Sequence, residues 1–193
     1  ESAPFDAARG FLDRCMHGDH APEVIFAEPV WNDRLLPTHL AERILAVTVG
    51  AETADVGVVL VDPGLPPVWE RRYNAAQTVE NYFDQRVRLL LGESGIAENH
   101  VRIAWLEWQS PDVTEAVRHL AALGCSRIVV AASTIALPTL DTALDLSHAI
   151  ALARVPHGVQ VVTVPPWGDD DAFADAICRT AAASLGIETA SAR

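Results

Sequence analysis

Val56-Gly57-Val58-Val59-Leu60-Val61, followed by Asp62-Pro63-Gly64, is the stretch of sequence that decides the fold. The first six residues are apolar except for Gly57, and turn-forming residues end the run. A short apolar run without polar alternation, bounded by turn residues, is typical of a parallel strand that is buried on both faces. Such strands lie in sheets covered by helices on both sides, so this stretch predicts an α/β protein.

The rest of the chain alternates between strand and helix patterns, as that fold requires. Short β-branched runs predict strands at residues 56–61, 101–106, 127–132 and 159–164. Helical spacing of apolar residues follows each run, at residues 75–90, 113–120, 140–153 and 171–185. We therefore predict a four-stranded parallel sheet with flanking helices. Ligands of such sheets bind in loops at the carboxyl ends of the strands, here residues 62–72, 107–111, 133–141 and 165–171.

A short motif also occurs twice. Glu28-Pro29-Val30-Trp31-Asn32-Asp33 reappears as Val164-Pro165-Pro166-Trp167-Gly168-Asp169, so that Trp31 and Trp167 lie 136 residues apart. Each copy follows a β-branched run and precedes a helix pattern, which indicates a duplicated domain. We predict that Val24–Ala27 is a strand, that residues 1–50 are the closing part of a first domain, and that residues 51–193 are a complete second domain.

The first copy lacks the strand and helix patterns that precede the second, and the sequence does not open with methionine. We therefore expect the chain to belong to a longer or nicked two-domain protein. The missing N-terminal segment, or a second chain, is expected to cover apolar residues such as Phe11 and Ile25, because monomers rarely leave such patches open.

Composition excludes several classes of function. The net charge of −12 disfavours a nucleic-acid partner, since phosphate binding needs a basic surface. No apolar run approaches the roughly 18–20 residues that span a bilayer. Cys15, Cys125 and Cys178 are scattered and odd in number, which favours reduced thiols and a cytoplasmic location over disulfides, zinc or an iron–sulfur cluster.

Four segments, in this order, resemble the class II tetrapyrrole chelatases: Val58 through Gly64, Trp105-Leu106-Glu107 through Pro111, Gly124 through Val130, and Val164 through Asp170. That family includes sirohydrochlorin chelatases of the CbiX type and is related to ferrochelatases; it also occurs as a two-domain long form. The resemblance spans residues 56–186. It implies a chelatase-like fold and a lyase that inserts iron, cobalt or nickel into a tetrapyrrole such as sirohydrochlorin, as in siroheme and cobalamin synthesis. The metal ion is then a substrate, and no cofactor is required.

The resemblance also places the site. In the family, one histidine ends the first strand, and a second histidine or a carboxylate follows the third. Here the first position reads Asp62-Pro63-Gly64, and the second lies near Asp141. Glu107 and Asp141 are therefore the implied catalytic candidates, and Asp62 and Asp141 the metal contacts. Loop hydrogen bonding is the alternative for both aspartates, and a solvated or capping role is the alternative for Glu107.

Because both histidines are replaced, we expect this chain to supply the less catalytic half of the enzyme. The alternative is a non-catalytic scaffold domain that binds a tetrapyrrole or a protein. Trp69, Trp108 and Trp167 are candidates for flat walls of a macrocycle site, although packing in the core is an equal interpretation. Glu80, Asp84 and Arg88 are spaced four apart on one helix, which predicts a solvated face with paired charges.

Overall fold

The computed structural model describes residues 3–15, 23–70 and 74–187. It does not describe the side chains of some residues inside the helices, including Asp141. The strands are β1 (Val56–Asp62), β2 (Val101–Trp105), β3 (Arg127–Ala132) and β4 (Gln160–Val164). The helices are α1 (Ala3–Cys15), α2 (Leu36–Ala46), α3 (Pro67–Glu70), α4 (Asn74–Glu93), α5 (Val113–Ala122), α6 (Leu140–Ala153) and α7 (Asp171–Ser184).

The strands form one parallel sheet in the order β2-β1-β3-β4, which confirms the predicted four-stranded α/β architecture. Every residue of β1 is buried, as its apolar run requires. Helices cover both faces of the sheet. Alternate residues of β1 face opposite ways: Val58 and Leu60 pack into the core that contains α2, α4 and α7, whereas Val59 and Val61 pack into the core under α5 and α6.

The predicted strand at Val24–Ala27 is wrong. The segment has no regular secondary structure, and Val24 and Ile25 are 43% and 47% exposed. A strand needs a neighbour for its backbone hydrogen bonds, and nothing in the described part of the chain pairs with this segment. Trp31 precedes α2 and Trp167 precedes α7, but Trp31 belongs to a short 3₁₀ helix (Val30–Asn32) and Trp167 does not.

The division near residue 50 stays a prediction. Helix α2, which precedes it, has Leu36, Leu40 and Ile44 fully buried. These side chains belong to the same core as β1 and α4. In this structure α2 is therefore an integral part of the layer that covers one face of the sheet.

The two copies of the repeat contact each other through reciprocal ion pairs. Arg179 of α7 donates two hydrogen bonds to the carboxylate of Asp33, at 2.9 and 3.1 Å. Arg43 of α2 lies 3.8 Å from the carboxylate of Asp170. Asp33 also accepts backbone N–H groups at the start of α2, and Asp170 does the same at the start of α7. Each helix thus sends an arginine to an aspartate at the start of the other. The two arginines are equivalent in the repeat, but Asp170 stands one residue after Asp169, the equivalent of Asp33.

Candidate functional site at the carboxyl ends of strands β1 and β3

The strand order places a crevice between β1 and β3. Strand β2 lies on one side of β1, and strand β3 lies on the other side. The connections that leave β1 and β3 therefore run in opposite directions along the sheet from the boundary between these two strands. In parallel sheets, ligands bind at the carboxyl ends of the strands at such a switch point. Asp62 ends β1, and Ser133 and Thr134 follow β3 at this place.

Asp62 is fully buried and faces the end of β3. Its Oδ1 accepts hydrogen bonds from the hydroxyl of Ser133 at 2.9 Å and from the hydroxyl of Thr134 at 2.6 Å. Its Oδ2 has no hydrogen-bond donor among the described residues. Burial raises the pKa of Asp62, although the hydrogen bonds from Thr134 and Ser133 oppose that shift.

Asp84 of α4 lies against Asp62 and is also fully buried. Neither of its carboxylate oxygens meets a donor in the part of the chain that the structure describes. Burial, followed by the charge of Asp62, raises the pKa of Asp84 well above its usual range. Two adjoining carboxyl groups in a dry site cannot readily both ionise. Burial therefore favours the protonated form of both carboxyl groups.

Glu80 completes the cluster one helical turn before Asp84. Unlike the two aspartates, it is only partly buried. Burial and the charge of Asp62 raise the pKa of Glu80 to about 8. Asp62, Asp84 and Glu80 therefore form a carboxyl cluster, and Glu80 is its one member with contact to solvent.

The predicted solvated face at Glu80, Asp84 and Arg88 is wrong for Asp84, which is fully buried. Arg88 pairs at 3.2 Å with Glu98, which lies beyond the end of α4, and not with Asp84. The sequence did carry a signal. Asp84 stands three and seven residues before Val87 and Leu91, both fully buried, so it shares their helix face. A carboxylate within an apolar stripe predicts a buried acid.

Of the predicted catalytic residues, Glu107 is exposed in the loop after β2. Its backbone N–H bonds the carbonyl of Pro63 at 3.3 Å, so the loops after β1 and β2 run side by side. Asp141 lies in the first turn of α6, after β3, and its side chain is outside the description. Both roles stay predictions.

The three tryptophans separate into two groups. Trp69 and Trp108 are 45% and 63% exposed in the connections that follow β1 and β2. Trp167 is 2% exposed, and its indole N–H donates to the carbonyl of Ser133 at 2.8 Å. Trp31, Phe173 and His39 pack around it. The structure therefore corrects the substrate role of Trp167: it is a core residue that fixes the segment after β3.

No three histidine, cysteine, aspartate or glutamate side chains among the described residues are grouped to hold a metal ion. Asp62 as a metal contact stays a prediction; the contacts that it makes are hydrogen bonds from the hydroxyl groups of Ser133 and Thr134.

A separate groove of about 700 Å³ lies between the segment before α2 and the end of α7. Ile25, Phe26 and Pro29 line one wall, and Ala183 lines the other. None of its lining residues belongs to the carboxyl cluster. It is therefore a second candidate location for a ligand. In the described parts of the chain, we find no helix that is both long and apolar enough to cross a membrane.

The CbiX family model matches residues 70–184. This match covers more than half of the 193 residues, and the chain belongs to the CbiX family, as the motifs predicted. The matched region contains Glu80 and Asp84 but neither β1 nor the first copy of the repeat, and the two-domain long form stays a prediction. A comparison with curated protein sequences gave no significant match.

Proposed function

We propose that this CbiX-family chain inserts a divalent metal ion into a tetrapyrrole at the carboxyl ends of β1 and β3. The observation that carries the proposal, beside the family, is the carboxyl cluster at this switch point. Burying Asp62 and Asp84 with unsatisfied oxygens costs stability. Ionisable groups that are perturbed in this way, at the ligand-binding edge of a sheet, are typical of functional sites.

The reaction sets three demands on such a site. Two pyrrole N–H bonds break, their electron pairs bind the metal, and two protons must leave. The site must therefore hold a flat ring, guide a metal ion and accept protons. Trp69 and Trp108 offer exposed aromatic surface beside the crevice. Glu107, in the loop after β2, and Asp141, in the first turn of α6, are the proposed guides for the metal ion, for which iron, cobalt and nickel are the candidates.

The test is metal insertion into sirohydrochlorin by the purified chain, followed by the change in tetrapyrrole absorbance with cobalt, nickel and, without oxygen, iron. We expect a rate that is proportional to protein concentration and exceeds the uncatalysed rate with at least one of these metals. Insertion at the uncatalysed rate with every metal would refute activity of this chain.

A non-catalytic tetrapyrrole-binding domain is the second candidate. Pro63 favours it, because this residue stands just after β1, where the resemblance implies a histidine, and can neither bind a metal ion nor take a proton. In that case tetrapyrrole binds and quenches tryptophan fluorescence, but no metal is inserted. Insertion that appears only when an upstream segment is supplied would assign this chain to the less catalytic half.

A further inference from the structure

We propose that Trp108 binds the flat face of the tetrapyrrole, and that a strained turn after β2 holds its indole ready for that contact. This inference rests on the proposed function and selects one residue of its binding surface. It describes a side chain that lowers the stability of the free chain and raises its affinity for the ring.

The backbone at Trp108 has a conformation that a bulky side chain rarely adopts. Its φ is +66°, whereas residues other than glycine strongly favour negative values. The N–H of Gln109 donates to the carbonyl of Glu107 at 2.8 Å, which closes a three-residue turn around Trp108. With a positive φ at its centre, this is the rare and strained form of the γ-turn. Such a conformation opposes folding and persists only where its surroundings enforce it.

Arg154 is the other residue besides glycine with a positive φ in the described part of the chain, and it has an ordinary explanation. Its φ is +47°, and it caps the C-terminus of α6, where helices commonly end in this conformation. Trp108 ends no helix, since it lies between the end of β2 and the start of α5. The strain at Trp108 therefore needs a different reason.

Hydrogen bonds hold the loop around the turn at both of its ends. The N–H of Leu106 donates to the carbonyl of Asp62 at 2.9 Å, and the N–H of Trp105 donates to the carbonyl of Pro111 at 3.1 Å. Asp112 then forms a capping box at the start of α5. The loop is thus fixed to the end of β1 on one side and to a helix on the other, so the strained turn is enforced between two anchors.

The packing of the indole does not account for the strain. Trp108 is 63% exposed, and no ring or arginine among the described residues stacks on it. Trp167, by contrast, is 2% exposed and fills the core. Trp69 is 45% exposed, but it lies in α3 with no unusual φ. A large ring that is costly to place and is left open to solvent is typical of a ligand contact, and this combination selects Trp108.

The position of the turn suits a macrocycle seated in the crevice. The N–H of Glu107 bonds the carbonyl of Pro63 at 3.3 Å, so the turn adjoins the loop that follows β1. Neighbouring strands lie about 5 Å apart, which is less than the width of a tetrapyrrole. A ring at the boundary of β1 and β3 can therefore extend to the loop after β2, where an indole offers a flat apolar face for stacking.

The experiment measures the Kd of metal-free sirohydrochlorin by equilibrium dialysis, for the full chain and four variants. Trp108→Ala and Trp108→Gly should each raise the Kd by about 10-fold or more, the usual effect of losing one aromatic stacking partner. Trp108→Phe keeps a ring and should stay within about 3-fold of the wild type. Tyr82→Ala removes an equally exposed aromatic residue from α4 and should match the wild type.

Urea unfolding tests the strain without any ligand. At most positions alanine is more stabilising than glycine, but glycine adopts a positive φ at no steric cost. Trp108→Gly should therefore unfold at a higher urea concentration than Trp108→Ala. The reverse order would show that the turn is not strained in the folded chain and would overturn the inference.

The outcomes separate this inference from the proposed function. Absence of both binding and insertion in the wild type would refute the proposed function, and this inference with it. Binding without insertion would refute the activity and leave the role of Trp108 standing. Wild-type binding that Trp108→Ala leaves unchanged would overturn this inference alone. If sedimentation then showed that Trp108→Ala loses self-association, the indole would be a contact between two copies of the chain.

Discussion

Trp167 shows how a single side chain can hold the edge of the crevice without touching a ligand. Its indole N–H bonds the carbonyl of Ser133, whose hydroxyl bonds Asp62. The ring packs at centroid distances of 5.5 Å from Phe173 and 6.2 Å from Trp31. The aromatic core therefore positions Ser133, and through Ser133 it positions the carboxyl group of Asp62.

Truncating this residue should be costly. We expect Trp167→Ala to lower the free energy of unfolding by about 3–5 kcal/mol, because it leaves a large cavity. Trp108→Ala, the same change at a residue that is 63% exposed, should change it by no more than about 0.5 kcal/mol. Urea denaturation of both variants measures this difference. If both variants lost the same free energy of unfolding, Trp167 would not be a core residue.

The carboxyl cluster should also shape the dependence of stability on pH. Glu80 has a pKa of about 8 in the folded chain against an ordinary value of 4.5, and the pKa of Asp84 is raised well above 3.8. Between pH 5 and about 8 the native state therefore holds protons that the unfolded chain has lost. Each such proton lowers the free energy of unfolding by about 1.4 kcal/mol per pH unit as the pH rises.

We expect stability to fall from pH 5 to 8, and Glu80→Gln and Asp84→Asn each to make that slope shallower, whereas Glu93→Gln should not. The lowered pKa values of Asp33 and Asp170 act in the opposite sense, but below their ordinary value of 3.8. Denaturant unfolding across the pH range is the measurement. A slope that is the same in all four proteins would mean that the cluster is ionised in the native state.

At the scale of elements, the loops after β1 and β2 are joined beyond the ends of the strands. The N–H of Leu106 bonds the carbonyl of Asp62 at 2.9 Å. Gly64 permits this approach: its φ is +83°, and a Cβ atom there would lie 2.1 Å from the carbonyl oxygen of Glu107. No side chain fits between backbones this close, so glycine keeps the rim of the crevice in place.

Gly64→Ala should therefore destabilise the chain more than Gly124→Ala. At Gly124, φ is +95° and a Cβ atom would meet nothing within 4 Å, so alanine there costs only the backbone strain, about 1–2 kcal/mol. Gly64→Ala adds a clash that must displace one of the two loops. Urea denaturation compares the variants, and an equal loss in both would show that the loops move apart freely.

The sequence predicted the elements well where local pattern determines them. Strand β3 and helix α6 match their predicted bounds, because an apolar run and an amphipathic period specify each. The strand at Val24–Ala27 was predicted wrongly because a β-branched run does not reveal whether a partner strand exists. The role of Asp84 was missed because charge spacing was given more weight than its place among buried residues. The meeting of Asp62 with Asp84 depends on how α4 packs, which no local pattern encodes.

At the scale of the whole molecule, two ion pairs join the α2 and α7 regions, one arginine coming from each helix. Asp33 is 8% exposed and receives two hydrogen bonds from Arg179, whereas Arg43 and Asp170 are 3.8 Å apart. Beside this contact lies the groove that contains Ile25, and Phe11 is 59% exposed. That a missing segment or second chain covers these residues stays a prediction.

The two ion pairs should differ in strength. A double-mutant cycle on Asp33 and Arg179 should give a coupling energy of about 1–2 kcal/mol, since the pair is part-buried and bidentate. The cycle on Arg43 and Asp170 should give less, because the single contact is longer. Thermal or urea unfolding of the single and double alanine variants provides both values. A larger coupling for Arg43 and Asp170 would contradict the geometry.

The central claim is that the chain acts at the carboxyl ends of β1 and β3. The most direct test is a crystal structure of the chain with bound sirohydrochlorin. We predict that the macrocycle lies in the crevice between these strands, against the loops that follow them. A macrocycle seated instead in the groove between Ile25 and Ala183 would contradict the account.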